Sequence, residues 1–385
     1  HVHALQASRV NAHAARRRVG DGTAMMTLLA RLIRGQGLGE SMDERFGETP
    51  GAAGSLVPED VVAWALCHGV LPLVYEGLGV PRHADDGLNA LRTALAELAR
   101  TEAAADAIRT AACRILLHGL HDAGLPVLVF KGSALAFSHY PRPDLRPRDD
   151  TDMLVEESQL TILDTTMRNM GYRKSLASGG RLISHQWLYT RIDGRGIHHN
   201  YDVHWRISNR HRYARLFTLT ELLRRSRPIP AHPTHVRCPC PVDALLIAAL
   251  HRATHRGTDR LVWLYDIHRL LAGMTDEELG ELGKRAAIKG LTDECRAAIS
   301  GARHYFGRGT APPAALSRGV RTIDIWLADL KALPSWRARL ALLKEHAFPP
   351  ADYMRRNGGA DNRLILPIAY LTRGLRGSLK LFRRV

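Results

Sequence analysis

The chain has few cysteines and no long apolar run. Its five cysteines are odd in number and scattered along 385 residues, which argues against a disulfide framework and indicates a reducing, cytoplasmic compartment. No stretch approaches the ~20 consecutive apolar residues of a membrane-spanning helix, and no signal peptide is visible. We therefore expect a cytoplasmic protein without a transmembrane segment.

Acidic residues are also in the minority, with 38 Asp and Glu against 54 Lys and Arg and a formal net charge of +16. Such a surplus favours polyanions, namely nucleic acid, an anionic membrane surface or a nucleotide. The arginines are spread along the whole chain, however, and no basic strip is interleaved with aromatic residues. We interpret the charge as compositional and do not expect a nucleic-acid partner, while an RNA-directed enzyme stays open as an alternative.

The length allows one catalytic core with helical additions. Residues 57–80 and 87–121 are predicted to be helical, and runs rich in β-branched residues follow them. We predict an α+β fold in which a mixed β-sheet, an α/β core, is flanked by helices. The expected segments are residues 1–24, disordered or upstream sequence; 25–115, a helical region; 116–235, the core; and 236–385, a second helical region.

A short apolar run near the middle of the chain ends in a Gly-Ser turn. Residues 126–131 are predicted to form a buried strand, and Lys131, Gly132 and Ser133 close it. A helix is expected over residues 134–139, so the turn lies at a helix N-terminus, where free backbone N–H groups bind anions. We predict that Gly132 and Ser133 bind phosphate, and that Lys131 either neutralises phosphate charge or pairs with an acidic residue.

Two aspartates follow this turn on a second predicted strand. Asp150 and Asp152 are two residues apart in a segment expected to be extended over residues 151–155, so their side chains point the same way. Magnesium binds one or two carboxylates together with substrate phosphates. The pair therefore predicts half of a magnesium site. Arg146, in the loop before it, either contacts phosphate or fixes the loop through a salt bridge.

A third aspartate stands on a later predicted strand, residues 200–207. Asp202 and His204 share one face of this strand because their spacing is two. Three aspartates from neighbouring strands can bridge two metal ions, so Asp150, Asp152 and Asp202 are the predicted metal ligands and catalytic residues. We interpret His204, beside Trp205, as a packed structural residue.

This order of motifs resembles the nucleotidyltransferase superfamily that includes DNA polymerase beta and the aminoglycoside nucleotidyltransferases. A closer resemblance is to the bacterial family of uncharacterised nucleotidyltransferases, over roughly residues 55–275. The segments that carry it are Phe130–Leu135, Tyr140–Pro141, Leu145–Pro147, Asp150–Val155 and Asp202–Arg206, with His68–Leu73 and Leu261–Ile267 as flanking helical motifs. Arg148 and Asp149 depart from the pattern, since a small residue is expected before the first aspartate.

The resemblance implies a nucleotidyltransferase fold and a Mg²⁺-dependent enzyme. It would transfer a nucleoside monophosphate from a nucleoside triphosphate (NTP) to an acceptor hydroxyl and release pyrophosphate. Lys131, Gly132, Ser133 and Arg146 would bind the NTP. The acceptor, whether a small molecule, a sugar or a peptide, is not identified by the sequence. The alternative from another class is a non-catalytic nucleotide-binding or antitoxin-type protein of the same fold.

Two further groups of metal-binding residue types are interpreted as structural. His232, His235, Cys238 and Cys240 lie within nine residues but lack the spacings of structural zinc sites. His251 and His255 share a helix face without the glutamate of a metalloprotease motif. We expect the second pair to lie on the helix surface or to make inter-domain contacts, with Asp266 as a possible partner.

Overall fold

The fold is known from a computed structural model. It describes residues 22–35, 58–79, 86–175, 180, 182–255, 259–307, 322–351, 353–354, 370 and 372. Most of the segment expected to be disordered or upstream, residues 1–21, lies outside this set. Residues 22–24 begin a helix.

Four helices precede the sheet: α1 Gly22–Ile33, α2 Pro58–His68, α3 Leu71–Leu78 and α4 Asp86–Asp122. The long helix α4 buries Leu91, Leu95 and Ala99, which recur every four residues and so line one face. It ends at Asp122, and Gly124 follows with a φ of +70°, the left-handed conformation typical of a residue just after a helix C-terminus. The predicted helices over 57–80 and 87–121 are confirmed, with a break near Gly69.

The sheet has seven strands: β1 Leu128–Phe130, β2 Thr151–Leu154, β3 Arg173–Lys174, β4 Gln186–Ile192, β5 His198–His204, β6 Arg227–Pro228 and β7 Arg237–Cys238. Their order is β3-β4-β5-β2-β1-β7-β6. The β2–β5 and β1–β7 pairs are parallel and the other pairs are antiparallel. The sheet is therefore mixed, and with helices around it the predicted α+β fold is confirmed.

Helices connect and follow the strands: α5 Lys131–Ser138, α6 Leu160–Asn169, α7 His211–Ala214, α8 Leu219–Arg225, α9 Pro241–Thr254, α10 Leu261–Gly273, α11 Asp276–Ile288, α12 Thr292–Phe306, α13 Thr322–Lys331 and α14 Trp336–Ala347. Several expected boundaries were wrong, since β1 spans Leu128–Phe130 rather than 126–131 and β5 spans His198–His204 rather than 200–207. We expected α5 to begin at residue 134, but it begins at Lys131, whose φ of +55° turns the chain from strand to helix within one residue.

Alternation along the strands separates two hydrophobic cores. Leu128, Phe130 and Leu154 face a core shared with both helical regions, whereas Val129 and Met153 face a core with α4 and α6. No helix in the described part of the chain is long and apolar enough to cross a membrane.

The two flanking motifs of the sequence contact each other. The backbone N–H of Leu261 donates to Nδ1 of His68 at 3.2 Å, and Nε of Arg260 donates to the carbonyl of Cys67 at 3.1 Å. Gly69 turns the chain with a φ of +67° at this contact, where a Cβ would lie 2.7 Å from the Arg260 guanidinium. The N- and C-terminal helical regions thus join over one face of the sheet, the face that carries the aspartates.

Candidate active site

Two aspartates of neighbouring strands lie side by side near the centre of the sheet. Asp152 on β2 pairs in register with Asp202 on the parallel strand β5. Nζ of Lys131 donates to Oδ1 of Asp152 at 2.7 Å, and Nε2 of His204 lies 2.9 Å from the same oxygen. The structure therefore brings Asp152, Asp202 and Lys131 together, with Lys131 paired to a carboxylate.

Three of these side chains lie close enough to share a cation. Asp152, Asp202 and His204 each offer one ligand atom, and these atoms lie within 4.8 Å of one another. Carboxylate oxygens suit Mg²⁺ and Mn²⁺, and imidazole is a ligand of several other divalent metals. His204 is 3% exposed and hydrogen-bonded, as a packed structural residue should be, yet it also belongs to this set. The donor atoms fit a divalent cation.

Asp150 lies outside that set of three but within reach of its charges. Asp150 keeps an exposed surface, but desolvation by the surrounding protein, with the carboxylates of Asp152 and Asp202, raises its pKa from 3.8 to about 7. Burial, with Asp152, raises the pKa of Asp202 to about 6. Burial alone would also raise the pKa of Asp152, but Lys131 and His204 hold it well below 3.8. The raised pKa values of Asp150 and Asp202 result in part from repulsion between neighbouring carboxylates, and a bound divalent cation would reduce this repulsion.

The predicted phosphate-binding turn is the first turn of α5. Backbone N–H groups there have no acceptor within the helix and can face an anion. The hydroxyl of Ser133 donates to the carbonyl of Asp150 at 3.0 Å, so this side chain ties the turn to the aspartate strand. Gly132 lies against Arg146, where a Cβ would be 2.8 Å from Nη2. A larger residue at position 132 would displace that guanidinium.

Arg146 forms a salt bridge, which was one of its two predicted roles. Its Nε and Nη2 donate to Oδ1 and Oδ2 of Asp266, each at 2.8 Å, and Nη1 donates to the carbonyl of Pro147 at 2.7 Å. Tyr140 donates its hydroxyl to Oδ1 of Asp266 at 2.7 Å. Helix α10 thereby holds the loop that leads to the aspartates. Whether Arg146 also contacts phosphate stays a prediction.

Arg148, the departure from the family pattern, adds little charge beside the aspartates. Its guanidinium donates to both carboxylate oxygens of Asp106 on α4 and is largely buried. Arg109, also on α4, donates to the carbonyl of Arg148 at 3.0 Å. The arginine therefore anchors the loop to α4, while the neighbouring carboxylate of Asp149 contributes to the raised pKa of Asp150.

Two polar side chains that the sequence analysis missed hold Asp202 in place. Nε2 of Gln186 donates to Oδ2 of Asp202 at 2.9 Å, and Nδ2 of Asn209 donates to Oε1 of Gln186 at 3.0 Å. Gln186 faces the site because it pairs with His204 across β4 and β5. Only the pairing of these strands reveals this contact, since Gln186 otherwise reads as one polar position of a strand.

One cavity of about 1040 Å³ is lined by Lys131, Gly132, Arg146, Asp150, Asp152, Gln186, Asp202, His204, Asn209 and Asp266. The sheet face with the aspartates forms one side, and the helical regions form the others. Helices α9 and α10 contribute His251 and Trp263, and helices α13 and α14 contribute Trp326 and His346. Small-molecule sites usually measure about 300–1,000 Å³, so this cavity has room for a nucleotide and a second substrate.

The histidine pair of α9 lies on the cavity wall. The rings of His251 and Trp263 meet edge to face with centroids 4.9 Å apart, and His255 packs beside both. Burial, with Lys131 nearby, lowers the pKa of His251 well below 6.5, so its imidazole is neutral at pH 7. The suggested partner was wrong, because Asp266 instead bonds to Tyr140 and Arg146.

The His-Cys segment after β6 does not form a metal site in the described part of the chain. In the described part of the chain, His232, His235, Cys238 and Cys240 do not form a group that could hold an ion. The ring of His235 stacks on His121 at 4.0 Å, and His232 meets Phe137 edge to face at 4.6 Å. These are structural contacts, as predicted.

Comparison with known proteins identifies the family to which this chain belongs. A model of the family described as "Uncharacterised nucleotidyltransferase" matches residues 55–307. Among solved structures, the chain is similar to the antibiotic-resistance factor ANT(2'')-Ia. The identity is 16%, the match covers 48% of this chain and 92% of that one, and the TM-score is 0.34. A likeness at this level carries no argument about function. Curated proteins give no match.

Proposed function

The chain belongs to the family of uncharacterised nucleotidyltransferases, and we propose that it transfers a nucleoside monophosphate from an NTP to an acceptor hydroxyl with the help of Mg²⁺. One observation carries the proposal. Asp150, Asp152 and Asp202 gather beside the N-terminus of α5, within a cavity large enough for two substrates. Crowded carboxylates next to a phosphate-binding turn suit phosphoryl chemistry, in which positioning and charge neutralisation provide most of the catalysis.

The NTP is bound through its phosphates. Backbone N–H groups of Gly132 and Ser133 donate to the β- and γ-phosphates at the α5 N-terminus, and Lys131 adds a positive charge there. Lys131 now pairs with Asp152 at 2.7 Å. A cation bound by Asp152 would compete for that carboxylate and free the ammonium for phosphate.

The aspartates would hold the metal. Asp152 and Asp202 would be ligands, Asp150 would add its charge beside them, and His204 would complete the group or orient Asp152. When bound, Mg²⁺ neutralises phosphate oxygens and polarises the α-phosphate toward attack. Gln186 and Asn209 keep the carboxylate of Asp202 fixed during this step.

The transfer exchanges one P–O bond for another. The acceptor oxygen bonds to the α-phosphorus while the bond from that phosphorus to the bridging oxygen breaks, and pyrophosphate leaves with the electron pair. The hydroxyl proton passes to a carboxylate of the site, for which we propose Asp202. From there the proton reaches solvent.

Isothermal titration with each NTP, with and without Mg²⁺, followed by a pyrophosphate-release assay on extracted acceptor pools, tests this function. We expect Mg²⁺-dependent binding and release, both lost in Asp152→Asn. Asp293→Asn, at a side chain that is 90% exposed, is the matched control and should behave as wild type. Binding without release across all pools would favour the non-catalytic alternative instead.

A further inference from the structure

Three aromatic rings line the cavity on the helices that cover the aspartates. They belong to His251 near the end of α9, His255 directly after it, and Trp263 on α10. Ring centroids are 4.9 Å apart for His251 and Trp263, 4.3 Å for the two histidines, and 5.4 Å for His255 and Trp263. We call these three residues the aromatic wall. The chemical steps of the proposed transfer do not involve it.

The aromatic wall keeps surface that a ligand can cover. His251 and Trp263 are half-buried, and His255 is exposed. In the described part of the chain, the side chains of Thr254 and His255 bond to the backbone carbonyl of His251, at 2.8 and 2.9 Å, and not to its ring. Aromatic side chains with remaining surface are common in small-molecule sites, where they provide most of the contact area.

A salt bridge connects the aromatic wall to the phosphate turn. Trp263 and Asp266 are three residues apart on α10 and so lie on one face of that helix. Asp266 accepts two hydrogen bonds from Arg146, each at 2.8 Å, and the guanidinium of Arg146 lies against Gly132. The wall is therefore held at a fixed position relative to the α5 N-terminus, where the phosphates of an NTP would bind.

The ring of the wall that is influenced by the phosphate turn is uncharged at neutral pH. Burial, with the positive charge of Lys131, lowers the pKa of His251 well below 6.5. The guanidinium of Arg260 lies 5.8 Å from the ring centroid of Trp263, but its Nε donates to the carbonyl of Cys67 at 3.1 Å. An uncharged aromatic surface suits an uncharged planar ring better than it suits a phosphate.

The direction of the proposed transfer leaves the nucleoside on the side of the helices. In-line transfer places the attacking oxygen and the leaving pyrophosphate on opposite sides of the α-phosphorus. The ribose oxygen is another substituent of that phosphorus, so the nucleoside extends sideways from this line. Asp152 and Asp202 occupy the sheet, and α9 and α10 pack over the same face. The nucleoside therefore extends from the sheet toward the aromatic wall.

We propose that the aromatic wall is the nucleobase subsite and that it binds a purine through the face of its ring. The inference rests on the proposed function, because the triphosphate has to occupy the turn at Gly132 and Ser133. Stacking of a base on an aromatic side chain tolerates every base. Purines have the larger ring face and bury more apolar surface, so purine NTPs bind more tightly than pyrimidine NTPs.

Isothermal titration of the whole chain at saturating Mg²⁺ tests the subsite with five probes: ATP, GTP, CTP, UTP and inorganic tripolyphosphate, which has no base. We expect ATP and GTP to bind at least about tenfold more tightly than tripolyphosphate, with CTP and UTP between them. Tripolyphosphate that binds as tightly as ATP would overturn the inference. A pyrimidine NTP that binds more tightly than both purine NTPs would also overturn it.

Variants of Trp263 assign the contribution of the base to the wall. Trp263→Leu should weaken ATP binding about tenfold and leave the affinity for tripolyphosphate unchanged, whereas Trp263→Phe keeps a ring and should retain most of the ATP affinity. Trp326→Leu is the matched control, since Trp326 is also half-buried and lines the same cavity from α13. Its ATP affinity should equal that of wild type, and equal losses in the two Leu variants would contradict the subsite.

His255→Ala is a second variant that does not endanger the fold, because His255 is exposed. It should weaken ATP binding about threefold without changing the affinity for tripolyphosphate. Unchanged ATP affinity in this variant, or a parallel loss for tripolyphosphate, would contradict a direct contact between the wall and the base.

Failure of the base subsite and failure of the proposed function give different results. If wild type binds tripolyphosphate and all four NTPs equally, the wall is not the base subsite and the phosphate site stands. If wild type binds neither tripolyphosphate nor any NTP, the proposed function itself is wrong.

Discussion

Replacing Asp266 by Asn should weaken the attachment to helix α10 of the loop that leads to the aspartates. The carboxylate receives two hydrogen bonds from Arg146, each at 2.8 Å, and one from Tyr140 at 2.7 Å. The side chains of Arg146 and Asp266 are 11% and 6% exposed, so water does not replace a lost partner easily. Asp266→Asn removes the charge and one acceptor oxygen but keeps the volume.

The expected cost follows from the burial of this pair. Removing one partner of a buried ion pair destabilises a protein by about 3–5 kcal/mol, because the remaining charge is uncompensated. Tyr140→Phe removes one hydrogen bond and should cost about 1 kcal/mol. The double variant Arg146→Met, Asp266→Leu replaces the pair by apolar groups and should be more stable than Asp266→Asn alone.

Urea unfolding followed by tryptophan fluorescence measures these differences, and NTP titration of each folded variant shows the consequence for the phosphate turn. Because Arg146 packs against Gly132, we expect weaker NTP binding in Asp266→Asn even under conditions in which the variant is folded. A loss below about 1 kcal/mol, the range of an exposed pair, together with unchanged NTP affinity, would refute the reasoning.

Three other changes probe the same site. Gly132→Ala puts a Cβ within 2.8 Å of the Arg146 guanidinium and should cost about 1–3 kcal/mol in urea unfolding, with weaker NTP binding; an unchanged midpoint would contradict the close approach. Lys131→Met removes the cation that competes for Asp152, so titration with Mn²⁺ alone should show affinity raised about tenfold, and a lower affinity would contradict this competition. The pKa values of Asp150 and Asp202 are raised from 3.8 to about 7 and about 6; their contribution to stability is therefore full below pH 3.8 and lost as pH rises through 6 and 7. The metal-free protein should lose stability over that window in urea unfolding, Asp150→Asn should reduce the loss, and a flat profile would be inconsistent with the crowded carboxylates.

Local sequence patterns predicted the strands and the general place of the site. The alternation of polar and apolar residues in 200–207 predicted strand β5 and the shared face of Asp202 and His204. The Gly-Ser segment predicted a turn from strand to helix. Each of these features depends on neighbours a few residues away. The predicted family is confirmed over residues 55–307, because its motifs are a set of such local patterns in a fixed order.

Contacts between distant segments were beyond this reasoning. Arg146 and Asp266 are 120 residues apart, and the sequence could not decide between a salt bridge and a phosphate contact for the arginine. Gln186 reached Asp202 only through strand pairing. The start of α5 was also missed, since composition predicts helix formers but not a left-handed lysine.

The central claim is that the aspartates of β2 and β5 bind a divalent cation beside the phosphate turn. Anomalous scattering from crystals grown with Mn²⁺ and a non-hydrolysable NTP analogue tests it most directly. The account predicts a manganese peak between Asp152 and Asp202, with phosphates of the analogue against the backbone of Gly132 and Ser133. Manganese and analogue bound elsewhere, with Lys131 still paired to Asp152, would contradict it.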